Sequence, residues 1–511
     1  MQMHNDGYEM VISESESEDP YHVDGTTPLL NNSLNKQPKK RVKFKMDQTY
    51  DYSEVYQRLP IRTYVAYGMG HILNDVCASM WFTYLLVFLH LVLNFTDTQA
   101  GALLLVGQVA DALSTPFVGY FSDQGDNFWF CRYGKRKTWH LIGTFCVILT
   151  FPFIFSPCVE CEAAANWSKM IYYSMFIIIF QFGWAAVQIS HLSLIPEISP
   201  NEHDRTQLTA VRYGFTVVAN VLVYVVTWAV LHLGGNDNNK INFTDAGKFQ
   251  DIVINVMAFG AICSLLFHIF VKETNINNPG LEDVRGTRLR TDFKELFSDI
   301  QLYQVALTYM CSRLFINLTQ VFITLYLHES LNMVASSLAI VPLIMYLGSL
   351  ITSFSIGYIN KTLGRKLTYI FGAIIGLAAC LFIHWGQGDL YSQYLIYIVA
   401  TLLGSASSIV LVSSLGITTD LIGTRTNSGA FVYGIMSFVD KLANGVVVII
   451  IQGQHEGEPH LWYYRDILTY VCGGAVLLGG LAVIFWRRPL HVGETTQELL
   501  FEEDEGHETI N

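Results

Sequence analysis

The sequence predicts an all-α membrane protein. Its twelve transmembrane helices form two pseudo-symmetric six-helix halves, with both termini cytosolic. Three observations carry that expectation. Only 14 % of the 511 residues are charged and 51 % are hydrophobic, whereas a soluble domain is about a quarter charged. The hydrophobic residues gather in twelve runs, each near the ~20 residues that cross a bilayer as a helix. A short loop motif occurs once in each half of the chain. This composition excludes a soluble enzyme, a disordered chain and a nucleic-acid binder. The net charge of −12 comes largely from acidic tails such as Glu14 to Asp19 and Glu498 to Glu505, so it says little about partners. Nine cysteines are too sparse for a disulfide framework, and most sit in apolar runs as packing residues.

A polar tail, residues 1–61, comes first. Its Ser13–Asp19 stretch reads as a solvated segment. Lys39, Lys40, Arg41, Lys43 and Lys45 lie just before the first span, where they favour anionic lipid and set topology. No short apolar segment with a cleavage site precedes that span, so no signal peptide is expected. The first half, 62–271, holds runs at 64–91, 100–121, 139–156, 170–195, 209–233 and 252–271. A charged linker at 272–299 contains Asn277-Asn-Pro-Gly280, a turn sequence. The second half, 300–488, holds runs at 300–327, 335–358, 366–385, 391–415, 429–452 and 467–486, and an acidic tail spans 489–511.

The positive-inside rule orients the runs. All but six of the 31 Lys and Arg fall in the tails or in loops on their side. Lys169, Lys240, Lys248 and Arg465 fall in the alternate loops, and Arg313 and Lys441 fall inside spans. The sequons at Asn94, Asn166 and Asn242 all lie in the alternate loops, which are therefore expected to be lumenal and glycosylated. Asn317 matches a sequon mid-span and is expected to stay unmodified.

The halves repeat each other weakly. Gly119-Tyr-Phe-Ser-Asp123 and then Arg132-Tyr-Gly134-Lys-Arg136-Lys137 stand between spans 2 and 3. Gly357-Tyr-Ile-Asn360 and then Gly364-Arg365-Lys366 stand between spans 8 and 9. Glu197, Arg205 and Tyr213-Gly214 correspond to Asp420, Arg425 and Tyr433-Gly434. Glycines let helices approach, Asp or Asn caps a helix, and the basic residues anchor the loops. Gly119, Asp123, Gly134, Arg136, Gly357, Gly364 and Arg365 are therefore the expected gating residues. A bulky residue at Gly357, or loss of the Asp123 carboxylate, is expected to trap the protein on one side.

Ionisable residues at membrane depth cost several kcal/mol unless paired or hydrated, so each is a functional candidate. His71, Asn74, Asp75 and Ser79 share one face of span 1. Gln108, Asp111 and Thr115 make a stripe on span 2, and Gln181, Trp184, Gln188 and His191 another on span 4. Span 7 carries Arg313, Asn317, Gln320 and Thr324, and span 11 carries Tyr433, Ser437, Asp440, Lys441 and Asn444. Anions and cations nearly balance: Asp75, Asp111 and Asp440 against Arg313 and Lys441. A zwitterionic solute needs one of each, and here they come from different halves, so a bridging solute would couple binding to movement. The plainer reading is that the charges pair with one another and hold the halves together. Asp440 points about 100° away from Lys441 on a helix and reads as structural. His191 reads as a hydrogen-bonded core residue or a proton carrier.

These residues resemble the major facilitator superfamily, whose six-helix halves rock about a central site. The resemblance covers nearly all of residues 62–488. Asp111-Ala-Leu-Ser-Thr-Pro116, the Gly119 loop, Asn427-Ser-Gly429 and Phe438-Val-Asp-Lys441 look like the glycoside-pentoside-hexuronide:cation symporter branch. That resemblance implies a cavity lined by spans 1, 4, 7 and 10. The branch carries a second carboxylate where this chain has Thr115, and an Asp where it has Gln188, which weakens Na⁺ coupling and sugar specificity together. Three longer blocks narrow the resemblance: Leu73-Asn-Asp-Val-Cys-Ala-Ser-Met-Trp-Phe-Thr-Tyr84, Phe180-Gln-Phe-Gly-Trp184 with Gln188-Ile-Ser-His-Leu-Ser-Leu-Ile-Pro196, and Asn427-Ser-Gly-Ala-Phe-Val-Tyr-Gly434. They are similar to a family of lysosomal and melanosomal cysteine importers. This implies a secondary transporter in the lysosome and melanosome membrane that carries cysteine into the lumen, with an influence on cystine pools and pigment. Asp75, Asp111, Gln188, His191, Arg313, Asn317 and Lys441 are the binding or coupling candidates. A proton is the candidate coupling ion and membrane lipids the surroundings; no cofactor, metal or nucleic acid is expected. The alternatives are a cation-coupled sugar symporter and a non-transporting scaffold.

Two features stand apart. Asp24-Gly-Thr-Thr-Pro-Leu-Leu30 and Glu494-Thr-Thr-Gln-Glu-Leu-Leu500 look like acidic dileucine sorting signals, with the acid one position too far from the leucines. Cys158-Val-Glu-Cys161 has no second CxxC or His cluster to make a zinc site, so a local disulfide or two idle thiols is expected.

Overall fold

The computed structural model describes residues 59–123, 133–159, 161, 164–199, 202–233, 240–273, 300–422, 426–457 and 460–486. Both tails, the dileucine-like segments and most of the 272–299 linker lie outside the described residues. So do the side chains of Asp123 and of 426–434, including Tyr433.

Among the described residues, twelve helices are long and apolar enough to cross a membrane. Spans 1 to 6 are Ile61–Val92, Asp97–Ser122, Lys135–Ile154, Asn166–Ser193, Gln207–His232 and Phe243–Phe270. Spans 7 to 12 are Ile300–Ser330, Ser337–Asn360, Thr362–Trp385, Tyr391–Thr418, Ile435–Glu456 and Tyr463–Phe485. No strand occurs among the described residues. Span 1 is 89 % buried and span 7 is 72 % buried, against 33–56 % for the others, so these two are the central helices of their halves. Span 6 starts nine residues earlier than the apolar run suggests. Its polar first turns are held by a capping box, in which Asn242 Oδ1 accepts from Thr244 N (2.9 Å) and Asp245 Oδ2 accepts from Asn242 N (3.0 Å). Lys248 then pairs with Asp245 at 3.0 Å. Local hydrogen bonds of this kind extend a helix beyond its hydrophobic stretch.

The face that carries Lys135–Lys137 and Arg365–Lys366 is called here the basic face, and the face with Asn94, Asn166 and Asn242 the sequon face. At the basic face the halves repeat one device. Gly134 (φ 121°) and Gly364 (φ 78°) turn the chain into spans 3 and 9 through backbone conformations that favour glycine. The arginine that follows each glycine pairs with a carboxylate of its own half: Arg136 with Glu197, and Arg365 with Asp420 (2.5 Å). The next lysine caps the carbonyl end of the half's last span. Lys137 Nζ donates to His268 O (3.1 Å) and Val271 O (2.7 Å), and Lys366 Nζ to Ile484 O (2.8 Å) and Trp486 O (3.0 Å). A cation satisfies the free carbonyls and the negative end of the helix dipole.

At the sequon face the repeat continues, in a form that motif reading missed. Phe88-Leu-His-Leu-Val-Leu-Asn94 and Tyr326-Leu-His-Glu-Ser-Leu-Asn332 end spans 1 and 7 alike. Each closes in a π turn, with Leu93 N donating to Phe88 O (2.9 Å) and Leu331 N to Tyr326 O (3.0 Å). Each then places an Asn in the left-handed region, Asn94 at φ 55° and Asn332 at φ 56°. Asn tolerates that region best among residues with a Cβ.

Two further features position the site. Spans 3 and 4 cross at glycines, where a Cβ on Gly143 would lie 2.6 Å from Gly183 O, the close approach that small residues permit in membranes. Span 1 is broken: helix Ile61–Met69 ends, and helix Ile72–Val87 begins after Gly70 and His71. The break frees carbonyls, and histidines fill them. His191 Nε2 is 2.7 Å from Tyr67 O, and His140 Nε2 is 3.0 Å from Gly70 O. Cys158 and Cys161 are joined as a local disulfide.

Candidate functional site

Spans 2 and 11 bring opposite charges together across the halves. Lys441 Nζ lies 2.7 Å from Asp111 Oδ1 and donates to Thr115 Oγ1 at 2.8 Å. The Thr115 hydroxyl donates in turn to Asp111 Oδ1 at 3.1 Å. Thr115, one helical turn after Asp111, thus accepts from the ammonium where the symporter branch has a second carboxylate. The Lys441 ammonium also sits 5.7 Å from the Trp184 ring centre, within reach of a cation–π attraction.

Asp440 turns the other way, as the helical period requires. Its Oδ2 is 3.0 Å from Arg313 Nε and its Oδ1 accepts from Asn444 Nδ2 at 2.7 Å, all within the second half. Arg313 and Lys441 therefore hold different carboxylates.

Asp75 belongs to a third cluster, within the first half, and is not beside Lys441. Its Oδ1 lies 3.0 Å from His71 Nδ1, and its Oδ2 accepts from Thr216 Oγ1 at 2.9 Å. Arg212 Nη2 is 2.9 Å from His71 Nε2. A guanidinium only donates, so His71 Nε2 accepts and its hydrogen sits on Nδ1. Ser79 hydrogen-bonds Asn220 in the same seam. His191 is buried and stacks on Tyr67, with ring centres 4.1 Å apart. A second buried histidine pair lies behind it: His140 Nδ1 is 3.0 Å from His268 Nε2, and Tyr133 OH is 3.0 Å from His268 Nδ1. Gln188 Oε1 is buried without a hydrogen-bond partner.

Two small cavities adjoin the charged pair. One lies between the halves and is lined by Trp81, Phe82, Gln108, Asn317 and Asn444 among others. The second shares Trp81, Phe82 and Gln108 and adds Asp111, Gln181 and Trp184. Aromatic walls with a few convergent polar groups are the usual make-up of a small-molecule site. Asn317 and Asp111 thus face cavity, whereas Asp75, His191 and Arg313 are held by protein partners.

The halves are joined from the sequon face to mid-bundle. Gln320 Nε2 donates to Thr83 Oγ1 (3.0 Å) and Thr324 Oγ1 to Thr83 O (3.1 Å). Nearer the sequon face, Thr98 N donates to Glu456 (3.0 Å), and Asp97 contacts Gln452 (3.4 Å) and His455 (3.0 Å). At the basic face, by contrast, a Cβ on Gly119 or Gly357 would meet nothing within 4 Å, and Tyr120, Phe354 and Tyr358 are exposed. A bulky residue at Gly357 fits this state. Gly134, Arg136, Gly364 and Arg365 brace contacts within their own halves.

Motif reading missed Arg212: it stands at the start of the 209–233 run and was counted with the basic residues of the preceding loop. It lies inside the long helix Glu202–Leu233. The histidine and carboxylate cluster at the sequon face was missed because its members stand at the ends of four different runs. The Leu-His-x-x-Leu-Asn repeat was the available signal.

A family model described as MFS/sugar transport protein matches residues 66–453. The chain is 44 % identical to "Major facilitator superfamily domain-containing protein 12" of Homo sapiens, over 82 % of this chain and 90 % of that one. The Mus musculus protein of that name is 43 % identical, over 83 % and 93 % respectively. Among solved structures, a D-xylose-proton symporter superposes with TM-score 0.63 at 14 % identity, covering 84 % of this chain and 97 % of that one. The nucleoside transporter NupG superposes with TM-score 0.61 at 13 % identity, covering 83 % and 100 %. At these identities the structural likeness concerns the fold alone.

Proposed function

We propose, from the premise that the chain belongs to the MFS/sugar transport protein family and is a membrane transporter, that its cargo is cysteine, carried from the cytosol into lysosomes and melanosomes. The observation that carries this reading is the Asp111–Lys441 pair beside two small aromatic cavities. A zwitterion can open that pair and replace it. The cargo ammonium takes Asp111, the cargo carboxylate takes Lys441, and Thr115 completes the cation's hydrogen bonds. A short thiol side chain suits walls of Trp81, Phe82 and Trp184, since sulfur packs favourably against aromatic rings. The 44 % identity to a protein of the family resembled in sequence supports the same reading.

In this reading the state described is open at the basic face, the cytosolic side, and closed at the sequon face. Cargo enters beside Trp184, separates Lys441 from Asp111, and so bridges spans 2 and 11. The halves then rock, because a solute that contacts both stabilises the state in which they approach. Radiolabelled uptake into isolated lysosomes, compared across cysteine, cystine and a galactoside, tests the cargo. Cysteine uptake is expected; galactoside uptake without cysteine uptake would assign the chain to the cation-coupled sugar symporters.

The orientation has its own test. Asn94, Asn166 and Asn242 are all exposed, so glycans are expected at one or more of them. Single Asn→Gln substitutions followed by gel mobility read this directly. A glycan at Asn31 in the N-terminal tail would reverse the assigned topology.

A further inference from the structure

We propose that His90, Asp97, Glu329 and His455 form a proton-binding site that fastens the two halves together at the sequon face. The proposal rests on the transporter reading above and adds a ligand, the proton, at a place remote from the cargo pair.

The four side chains close a ring. His90 Nδ1 is 3.2 Å from Asp97 Oδ1, and His90 Nε2 is 3.5 Å from Glu329 Oε1. His455 Nδ1 is 3.0 Å from Asp97 Oδ2, and His455 Nε2 is 3.9 Å from Glu329 Oε2. His90 and Asp97 belong to the first half, Glu329 and His455 to the second. Both nitrogens of each imidazole therefore face a carboxylate, and each carboxylate faces both imidazoles.

A neutral imidazole has one N–H and one lone pair. His90 Nδ1 also lies 3.3 Å from Phe95 O, another acceptor, so its hydrogen is on Nδ1. A neutral His90 then points its lone pair at Glu329. Glu329 Oε1 is buried without a hydrogen-bond partner, as this account requires. With neutral histidines the ring holds two negative charges and faces lone pair against carboxylate on the Glu329 side. Two protons make it neutral and turn every edge into a donor–acceptor contact. Histidine is the side chain whose ordinary titration falls between a neutral and an acidic compartment.

The neighbours leave that balance intact. Asp97 sits in the first turn of span 2, where the helix dipole favours an anion. Gln452 donates to it, and Tyr464 OH is 3.4 Å from His455 Nδ1. The Tyr463 ring packs at a tilt against His455, and the Glu456 carboxylate is taken by Thr98 N. Arg465 is held by Asp466 at 2.9 Å. His328 precedes Glu329 on span 7, and the charges that act on it are Glu329 and Lys240. The His90 and Glu329 side chains keep 20 % and 24 % of their surface exposed, a route for protons from the sequon side.

Because the ring exists only when the halves meet, protons taken up there favour closure, and opening returns them to the same compartment. An acidic lumen would hold the empty carrier closed on that side and open to the cytosol, ready for cargo. Two linked protons change the closed-to-open ratio by up to ~100-fold per pH unit.

Spin labels on Asp251→Cys and Gln393→Cys, in opposite halves at the sequon face, read the ratio in purified full-length protein. Closure is expected at pH 5 and a shift toward opening at pH 7.5. His90→Gln with His455→Gln should flatten that response. His455→Arg, which keeps a fixed cation, should reduce the slope to about tenfold per unit. Labels in the parent that ignore pH, or a parental response in either variant, would overturn the proposal. Movement on adding cysteine separates the two readings: motion with cysteine but not with pH removes the proton site alone, and motion with neither removes the alternating-access reading as well.

Discussion

Lys441→Ala is expected to abolish transport. The substitution leaves the buried Asp111 carboxylate with only the Thr115 hydroxyl, where it now has an ammonium at 2.7 Å. Stranding one partner of a buried ion pair costs about 3–5 kcal/mol. That is enough to lower the amount of folded protein as well as activity, so the two effects must be separated. Lys441→Ala with Asp111→Asn removes both charges and should restore protein to the membrane without restoring uptake. Lys441→Arg is the sharper variant. It keeps the charge, but spreads it over a planar fork where the site holds one compact ammonium between a carboxylate, a hydroxyl and the Trp184 face. Normal assembly with uptake lowered at least ~10-fold is expected, equivalent to about 1.4 kcal/mol of lost binding. Parental uptake by Lys441→Arg would reduce Lys441 to a charge partner and pass the carboxylate-binding role to Arg313.

What was legible in the sequence depended on whether the signal was local. Twelve apolar runs report twelve helices because a bilayer leaves a chain few other ways to satisfy its backbone. The basic-face device was legible too: Gly134 and Gly364 with their following basic residues recur as words, and words survive without knowledge of tertiary contacts. Charges were harder. The inventory of Asp75, Asp111, Asp440, Arg313 and Lys441 lacked Arg212 of span 5, and pairing is set by which faces meet, which sequence order does not encode. Adjacent Asp440 and Lys441 pair with different halves. Asp75 takes Thr216 of span 5 as a partner, and Arg212, at the start of that run, was counted with the loop charges. The sequon-face ring was least legible. Its four members lie 7 to 365 positions apart in the chain, each at the end of a run where a polar residue looks like a boundary.

Asp440→Ala is expected to be the most damaging single change outside the Asp111–Lys441 pair. Asp440 is 2 % exposed and is the carboxylate that holds Arg313 at 3.0 Å. A stranded carboxylate can protonate, but a stranded guanidinium cannot shed its charge in a protein. Losing Asp440 therefore leaves a fixed cation in the second half, at about 3–5 kcal/mol. Reduced membrane expression and a lower Tm in detergent are expected. The informative variant is Arg313→Met with Asp440→Leu, since a buried pair can often be replaced by apolar groups of similar volume without loss of stability. All polar contacts found for Asp440 lie within its own half, so the pair serves to fasten span 7 to span 11. The double variant is then expected to recover both Tm and cysteine uptake to within a few-fold of the parent. A double variant that is stable but silent would mean that Arg313 meets the cargo. Set beside the Lys441→Arg result, that outcome would place the cargo carboxylate on span 7, while Asp111 and Lys441 remained a latch between the halves.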